Sequence, residues 1–407
     1  MPRSPAPTHT VAPAFASRAL KNARLVMAKP QVCQTSEQPR TGIANKNDSN
    51  DRHTQPMNTE SLTLRPGYST SRVIKGGWQL AGGHGAFNRT EAIRDMARFL
   101  DAGITAFDCA DIYTGVEAMI GELITSIRTE RGAAEANRIQ VHTKLVPDFD
   151  KLDTFTTADV EAIVDRSLQR LCVDQLHLVQ FFWWDMHRGN PVEVLSSLKD
   201  LQQKGKILHL GATNWDIDNL EQFVDAGLDL MSVQIQYSLL DNRPQGRFAS
   251  WCQQHDIHLF CYGALAGGFF SETWLGVSDP GYEFENRSLI KYRLIIDEFG
   301  GWDLFQYLLA TLKTVADKHG CTIAVIASRF MLDQPDVAAL IIGARTADHL
   351  QSTLKIFDVK LDDHDRASIN AILDKRSGPE GGVYELESDK NGKHGRIMKY
   401  NLNNDRA

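Results

Sequence analysis

Residues 107–124 read FDCADIYTGVEAMIGELI, in which a short apolar run ends in polar residues and gives way to an amphipathic stretch. From Arg72 the same alternation repeats almost to the C-terminus, the pattern of βα units around a parallel sheet. Eight apolar runs carry it: Val73–Trp78, Thr105–Ala110, Ile139–Leu145, Leu176–Trp183, Leu208–Asn214, Leu230–Tyr237, Ile257–Ala264 and Ala338–Ala344. Between them Ile93, Met96, Ala97 and Leu100, and further on Val160, Ile163, Val164 and Leu168, recur at helical spacing. Eight such units in about 300 residues predict an α/β chain folded as a (β/α)8 TIM barrel, not an open sheet.

Composition narrows the function. The 407 residues are 42% hydrophobic and 23% charged, close to the globular average. No uninterrupted apolar run reaches membrane-spanning length, so a soluble protein with no membrane partner is expected. The net charge of -7 and the lack of a dense Lys/Arg block argue against nucleic acid as a partner. The six cysteines are scattered without CxxC or Cys/His spacing, which predicts neither a disulfide framework nor a metal site.

The amino-terminus has a different character. Arg3, Arg18, Lys21, Arg24 and Lys29 precede the first acidic residue, Glu37, while Ala16, Ala19, Leu20, Ala23, Val26 and Met27 fall at helical spacing. Residues 1–36 therefore read as a transit peptide for a mitochondrion or plastid, and the polar residues 37–60 as a disordered linker. Met57 is an alternative start, which would leave the protein cytoplasmic. The division is 1–60 as transit peptide and linker, and 61–407 as the barrel with a C-terminal extension.

A barrel of this kind carries its chemistry at the C-terminal ends of the strands. Asp108, Lys144, Asn214, Gln234 and Tyr262 stand at or near such ends, and Tyr113 follows Asp108 by five residues. A strand-terminal Asn or Gln alone can be a turn residue or a bonded core amide. Asp108, Tyr113 and Lys144 together are more specific. They would converge at one barrel mouth, where Lys144 pairs with Asp108 and lowers the pKa of the Tyr113 phenol from about 10, making it a proton donor. A structural salt bridge beside a tyrosine is the other reading of the same residues.

At these residues the chain resembles the aldo-keto reductase superfamily, over roughly residues 70–400. FDCADIYTGVEAMIGELI resembles the family segment carrying the catalytic Asp and Tyr, which implies those roles for Asp108 and Tyr113, and VHTKL implies the Lys role for Lys144. SLQRLCVDQLHLVQFFWWD resembles the strand-four motif, in which a fourth catalytic residue, a His, normally precedes Trp-Trp-Asp; here that position is Phe182. GATNW implies Thr213 and Asn214 as holders of a nicotinamide carboxamide, with Gln234 completing the set and Tyr262 stacking on the ring. Gly263 and Leu265 join the cofactor set beside it. IIGARTADHL implies an adenosine-phosphate segment with Gly343, Ala344 and Arg345, and places His349 where the family usually has Arg or Gln. A guanidinium grips a phosphate bidentately, so Arg345 is the expected 2′-phosphate contact and NADP(H) the expected cofactor.

The resemblance implies reduction of an aldehyde, ketone or quinone by direct hydride transfer, with Trp78, Phe182 and Trp183 shaping the pocket for a small-molecule carbonyl substrate. Loss of the His donor at Phe182 would weaken catalysis, since removing one oxyanion donor can cost roughly 10²–10³ in rate. The alternative is a weakly active or inactive NADP(H)-binding redox sensor or regulatory protein. Two segments should shape the mouth: the aromatic-rich loop Leu265–Gly300, and the turn-rich extension Ser377–Asn404. Oligomeric state is not legible in the sequence.

Overall fold

A computed structural model of the chain describes residues 59–403. The basic segment 1–36, residues 37–58 of the linker and Asn404 lie outside the described residues. Eight parallel strands close into a barrel: β3 (Val73–Gly76), β4 (Ala106–Asp108), β5 (Gln140–Leu145), β6 (Leu176–Phe181), β7 (Ile207–Thr213), β8 (Leu230–Gln236), β9 (His258–Tyr262) and β10 (Val337–Gly343). Each pairs with the next and β10 pairs back to β3, where Gly343 lies opposite Gly76. All eight fall within the runs expected from sequence or within one residue of them.

The helices cover the outside, as their apolar stripes require. Helix Arg89–Asp101 starts at Asn88, whose side chain accepts the Glu91 N–H, and buries Ala92, Met96, Phe99 and Leu100. Helix Thr157–Leu171 starts at Thr156, whose N–H donates to the Asp159 carboxylate (2.8 Å), and buries Val160, Ile163 and Val164.

An additional hairpin, β1 (Ser61–Arg65) and β2 (Tyr68–Ser71), stands where the sequence shows no strand signal. Leu64 and Tyr68 pack with Ile74, Ala106, Leu178, Met231 and Phe260 inside the barrel. The Tyr68 hydroxyl and His142 Nε2 are 2.9 Å apart, and Arg65 ties the hairpin to Asp229, Asp256 and the Leu230 carbonyl at the strand N-termini. Glu60, read as the end of the linker, instead belongs to the folded body through ion pairs with Arg72 and Arg329.

Burial pushes the His142 imidazole down to about 3 and His177 down to about 4, helped in both cases by neighbouring imidazoles; His209 is lowered by burial and by Arg65. In the unfolded chain these rings protonate near 6.5, so below that pH the unfolded state takes up protons that the folded state refuses. Their stabilisation is complete above about pH 6.5 and is lost progressively as pH falls towards 4. Urea midpoints are therefore expected to fall between pH 7 and pH 4.5, and less so in His142→Phe. An identical slope in that variant would remove His142 as a source of the acid sensitivity.

Candidate active site

The C-terminal ends of the strands open into one cleft of about 1500 Å³. At its floor the Lys144 Nζ, on β5, donates to Asp108 Oδ1 at 2.6 Å and to the Cys109 carbonyl at 2.9 Å. Gln234, on β8, donates its amide to the same Asp108 oxygen at 2.7 Å. Both charges are buried, and an ion pair so far from water persists only when hydrogen bonds satisfy it on several sides. Burial alone would lower the Lys144 ammonium, but Asp108 and Tyr113 outweigh it and its pKa is raised, so it stays charged.

The Lys144 ammonium lies 4.9 Å from the centroid of the Tyr113 ring. The expectation that this neighbour brings the phenol below its ordinary value does not hold in the isolated site. Burial is the larger effect, with Asp108 adding to it, and Tyr113 is pushed up to about 12 despite the pull of Lys144. The phenol is consequently protonated at neutral pH, with a fixed cation beside it.

Aromatic side chains wall this end. Trp78 lies 5.1 Å from Tyr113 between ring centroids and donates its indole N–H to Ser288 Oγ at 3.2 Å. Phe182 follows β6 and packs edge-on against Trp184 at 4.8 Å, with Trp215 and Tyr384 within 6 Å. The Trp184 indole is committed to the Pro147 carbonyl (2.8 Å) and offers no donor to the cleft. Trp183 is not brought to the site. It is buried against Phe155, donates to the Arg188 carbonyl at 3.0 Å, and does not line the cleft, because it lies between Phe182 and Trp184, which do, and so points to the opposite side.

Thr213, Asn214, Gln234, Tyr262, Gly263, Leu265, Gly343, Ala344, Arg345 and His349 all stand in the wall of the same cleft. Asn214 has a left-handed backbone (φ 58°), unusual for a residue other than glycine, and its side-chain oxygen accepts the Tyr262 hydroxyl at 2.9 Å. Gly263 (φ 79°) has no room for a side chain, since a Cβ there would stand 2.8 Å from the Tyr292 hydroxyl. The Arg345 guanidinium reaches across to the His84 carbonyl, bridging the loop after β3 to the loop after β10. The donor set fits a dinucleotide: amide and hydroxyl groups, an aromatic face and a guanidinium line the same cleft.

One of the two expectations about the mouth needs correction. Leu265–Gly300 is not one long loop: Asn286 caps a helix over Arg287–Phe299. Phe269 meets Trp274, Phe284, Trp302 and Phe305 in a cluster on the helix Gly301–His319, so only Phe270 and Tyr292 of the aromatic set face the cleft. The extension does cover the mouth, with Ile397, Met398 and Leu402 lining the cleft and Tyr400 packed on Trp184 at 4.8 Å. Sequence reasoning did not single out Ser288, Lys291 or Glu387, which also line it. Among the described residues no group of three His, Cys, Asp or Glu side chains is placed to hold a metal ion, and no helix is long and apolar enough to cross a membrane.

Comparison with known proteins gives a consistent picture. The model of the aldo/keto reductase family matches residues 72–374. An NADH-specific methylglyoxal reductase of Escherichia coli is 24% identical over 76% of this chain and 95% of its own length. The aldo-keto reductase YhdN of Bacillus subtilis is 27% identical over 77% of this chain and 94% of its own. The flagellar radial spoke protein 5 of Chlamydomonas reinhardtii is 26% identical over 55% of this chain, but the match spans only 49% of that protein. Among solved structures, the glycerol dehydrogenase of Gluconobacter oxydans superposes with a TM-score of 0.64 at 23% identity, covering 77% of this chain and 95% of that one, a likeness of fold.

Proposed function

The chain belongs to the aldo/keto reductase family of carbonyl oxidoreductases, and we propose that it reduces a small apolar aldehyde, ketone or quinone with NADPH, using Tyr113 as the acid. The observation that carries this reading is the buried Lys144–Asp108 pair at 2.6 Å beneath the Tyr113 ring, an arrangement costly to bury and chemically useful only beside a group that changes charge. A reduced nicotinamide ring, when bound, supplies the hydride to the carbonyl carbon. Tyr113 gives its proton to the carbonyl oxygen, Lys144 stabilises the resulting phenolate, and Asp108 with Gln234 holds Lys144 in place. Thr213, Asn214 and Tyr262 orient the ring, and Gly263, Leu265, Gly343, Ala344 and His349 flank the remaining length of the dinucleotide.

Substrate class is read from the apolar part of the cleft wall. Trp78, Ile112, Val146, Phe182, Trp184, Met398 and Leu402 present mostly carbon, which favours an apolar carbonyl compound over a polyhydroxylated one. NADPH preference rests on Arg345. The test is oxidation of NADPH and NADH by the full chain with a panel of aromatic and aliphatic aldehydes and quinones. Arg345→Ala is expected to raise the NADPH KM roughly tenfold or more with little change for NADH, the loss of one charged hydrogen-bonding partner. Equal effects on both cofactors would withdraw Arg345 from the phosphate role.

The second reading, a cofactor-binding sensor with little turnover, is favoured by one observation: Phe182 presents only carbon where the oxyanion would be held. Binding of NADPH without oxidation by any carbonyl compound of the panel would select it.

A further inference from the structure

Asn214 and Tyr262 are held by a part of the chain that neither is near in sequence. Glu387, in the short helix Val383–Ser388 of the extension, is buried, and its Oε2 accepts the Asn214 side-chain N–H at 3.0 Å across 173 residues of sequence. Its other oxygen accepts the Lys291 ammonium, from helix Arg287–Phe299. Lys291 also donates to the Tyr262 hydroxyl at 3.3 Å and lies 4.9 Å from that ring's centroid. The Tyr262 hydroxyl in turn donates to the Asn214 oxygen at 2.9 Å. Four hydrogen bonds thus form a closed ring, and every member lines the cleft.

The ring has a direction. An ammonium only donates and a carboxylate only accepts, so Lys291 and Glu387 fix both ends. Between them the Asn214 amide has one possible sense: nitrogen towards Glu387, oxygen towards Tyr262. An asparagine without such partners can present either atom to a ligand at little cost. Here one amide hydrogen and one oxygen lone pair remain, with known orientation, for a carboxamide in the cleft.

We propose that Glu387 is a positioning residue for the nicotinamide end of the cleft, setting the sense of the Asn214 amide, so that the C-terminal extension is part of the cofactor site. The inference rests on the cofactor reading above. It further requires that the effect of Glu387 be confined to the nicotinamide half of the ligand.

The test uses the full chain and two ligands, NADPH and 2′-phospho-ADP-ribose, which lacks the nicotinamide, titrated by calorimetry. Glu387→Gln, which makes the ring ambiguous in direction, is expected to weaken NADPH about tenfold, as loss of one charge-assisted hydrogen bond would, and to leave 2′-phospho-ADP-ribose unchanged. Because Glu387→Gln leaves Lys291 uncompensated, a Lys291→Met/Glu387→Met double variant removes both charges and is expected to show the same selective loss. If the variants bind both ligands as the native chain does, or weaken both equally, the proposal is overturned and Glu387 is a staple for the extension. A native chain that binds neither ligand would overturn the cofactor reading itself, and this proposal with it.

Discussion

Tyr113→Phe is expected to lower kcat by about 10³-fold, within the range of 10²–10⁴ that a positioned general acid contributes, while NADPH binding survives within about twofold. The variant deletes one oxygen and keeps the ring that Trp78 and the Lys144 ammonium face at 5.1 and 4.9 Å, so the cleft should not rearrange. A 10³-fold loss is about 4 kcal/mol of transition-state stabilisation, more than packing changes from a single hydroxyl at a half-buried position provide. Stopped-flow reduction of the best substrate separates the chemical step from cofactor release. Unchanged turnover in the variant would remove Tyr113 from the acid role and leave the Lys144–Asp108 pair as a structural salt bridge.

The same residues show how far sequence carries the argument. The eight strands are legible because most of their residues are buried and short stretches rich in apolar residues recur between helical patterns, so that tertiary packing agrees with local preference. The hairpin is not legible: Ser61–Arg65 and Tyr68–Ser71 are five and four residues long, rich in Ser and Thr, and become strands only because the barrel interior receives Leu64 and Tyr68. The likeness of local motif puts Trp183 in the pocket, yet Phe182 and Trp184 line the cleft, and the alternation of successive side chains turns the residue between them to the other face. The charge neighbours of Tyr113 can be read from strand positions, whereas the burial that raises its phenol to about 12 depends on the whole mouth, including helices and extension. Glu387 lies still further from view, since nothing local connects a glutamate to an asparagine 173 residues away.

Phe182→His is the variant with the second-largest expected effect, and the native activity from which it starts separates the two functional readings. Phe182 is 4% exposed, lines the cleft and has only carbon to offer an oxyanion. The Trp184 and Trp215 indoles do not supply the lost donor, because they are already committed to the Pro147 and Phe181 carbonyls. An imidazole is smaller than the phenyl ring and fits the same space, and its aromatic surroundings keep it neutral, with one N–H available to donate. If the native chain is a reductase lacking one donor, the variant should turn over roughly 10²-fold faster on a small aldehyde, at a cost of about 1–3 kcal/mol in stability for a polar ring in an apolar wall. If instead the native chain binds NADPH without turnover, the same variant should create measurable activity from none, and Phe182 becomes the residue that holds catalysis off. Lower turnover in the variant than in an active native chain would show a pocket fitted to an apolar substrate face, with Phe182 contributing contact area that a histidine cannot replace. Measuring kcat and KM for both proteins across substrates of graded hydrophobicity distinguishes these outcomes: a missing donor appears in kcat for every substrate, and a contact surface appears in KM and only for the larger ones.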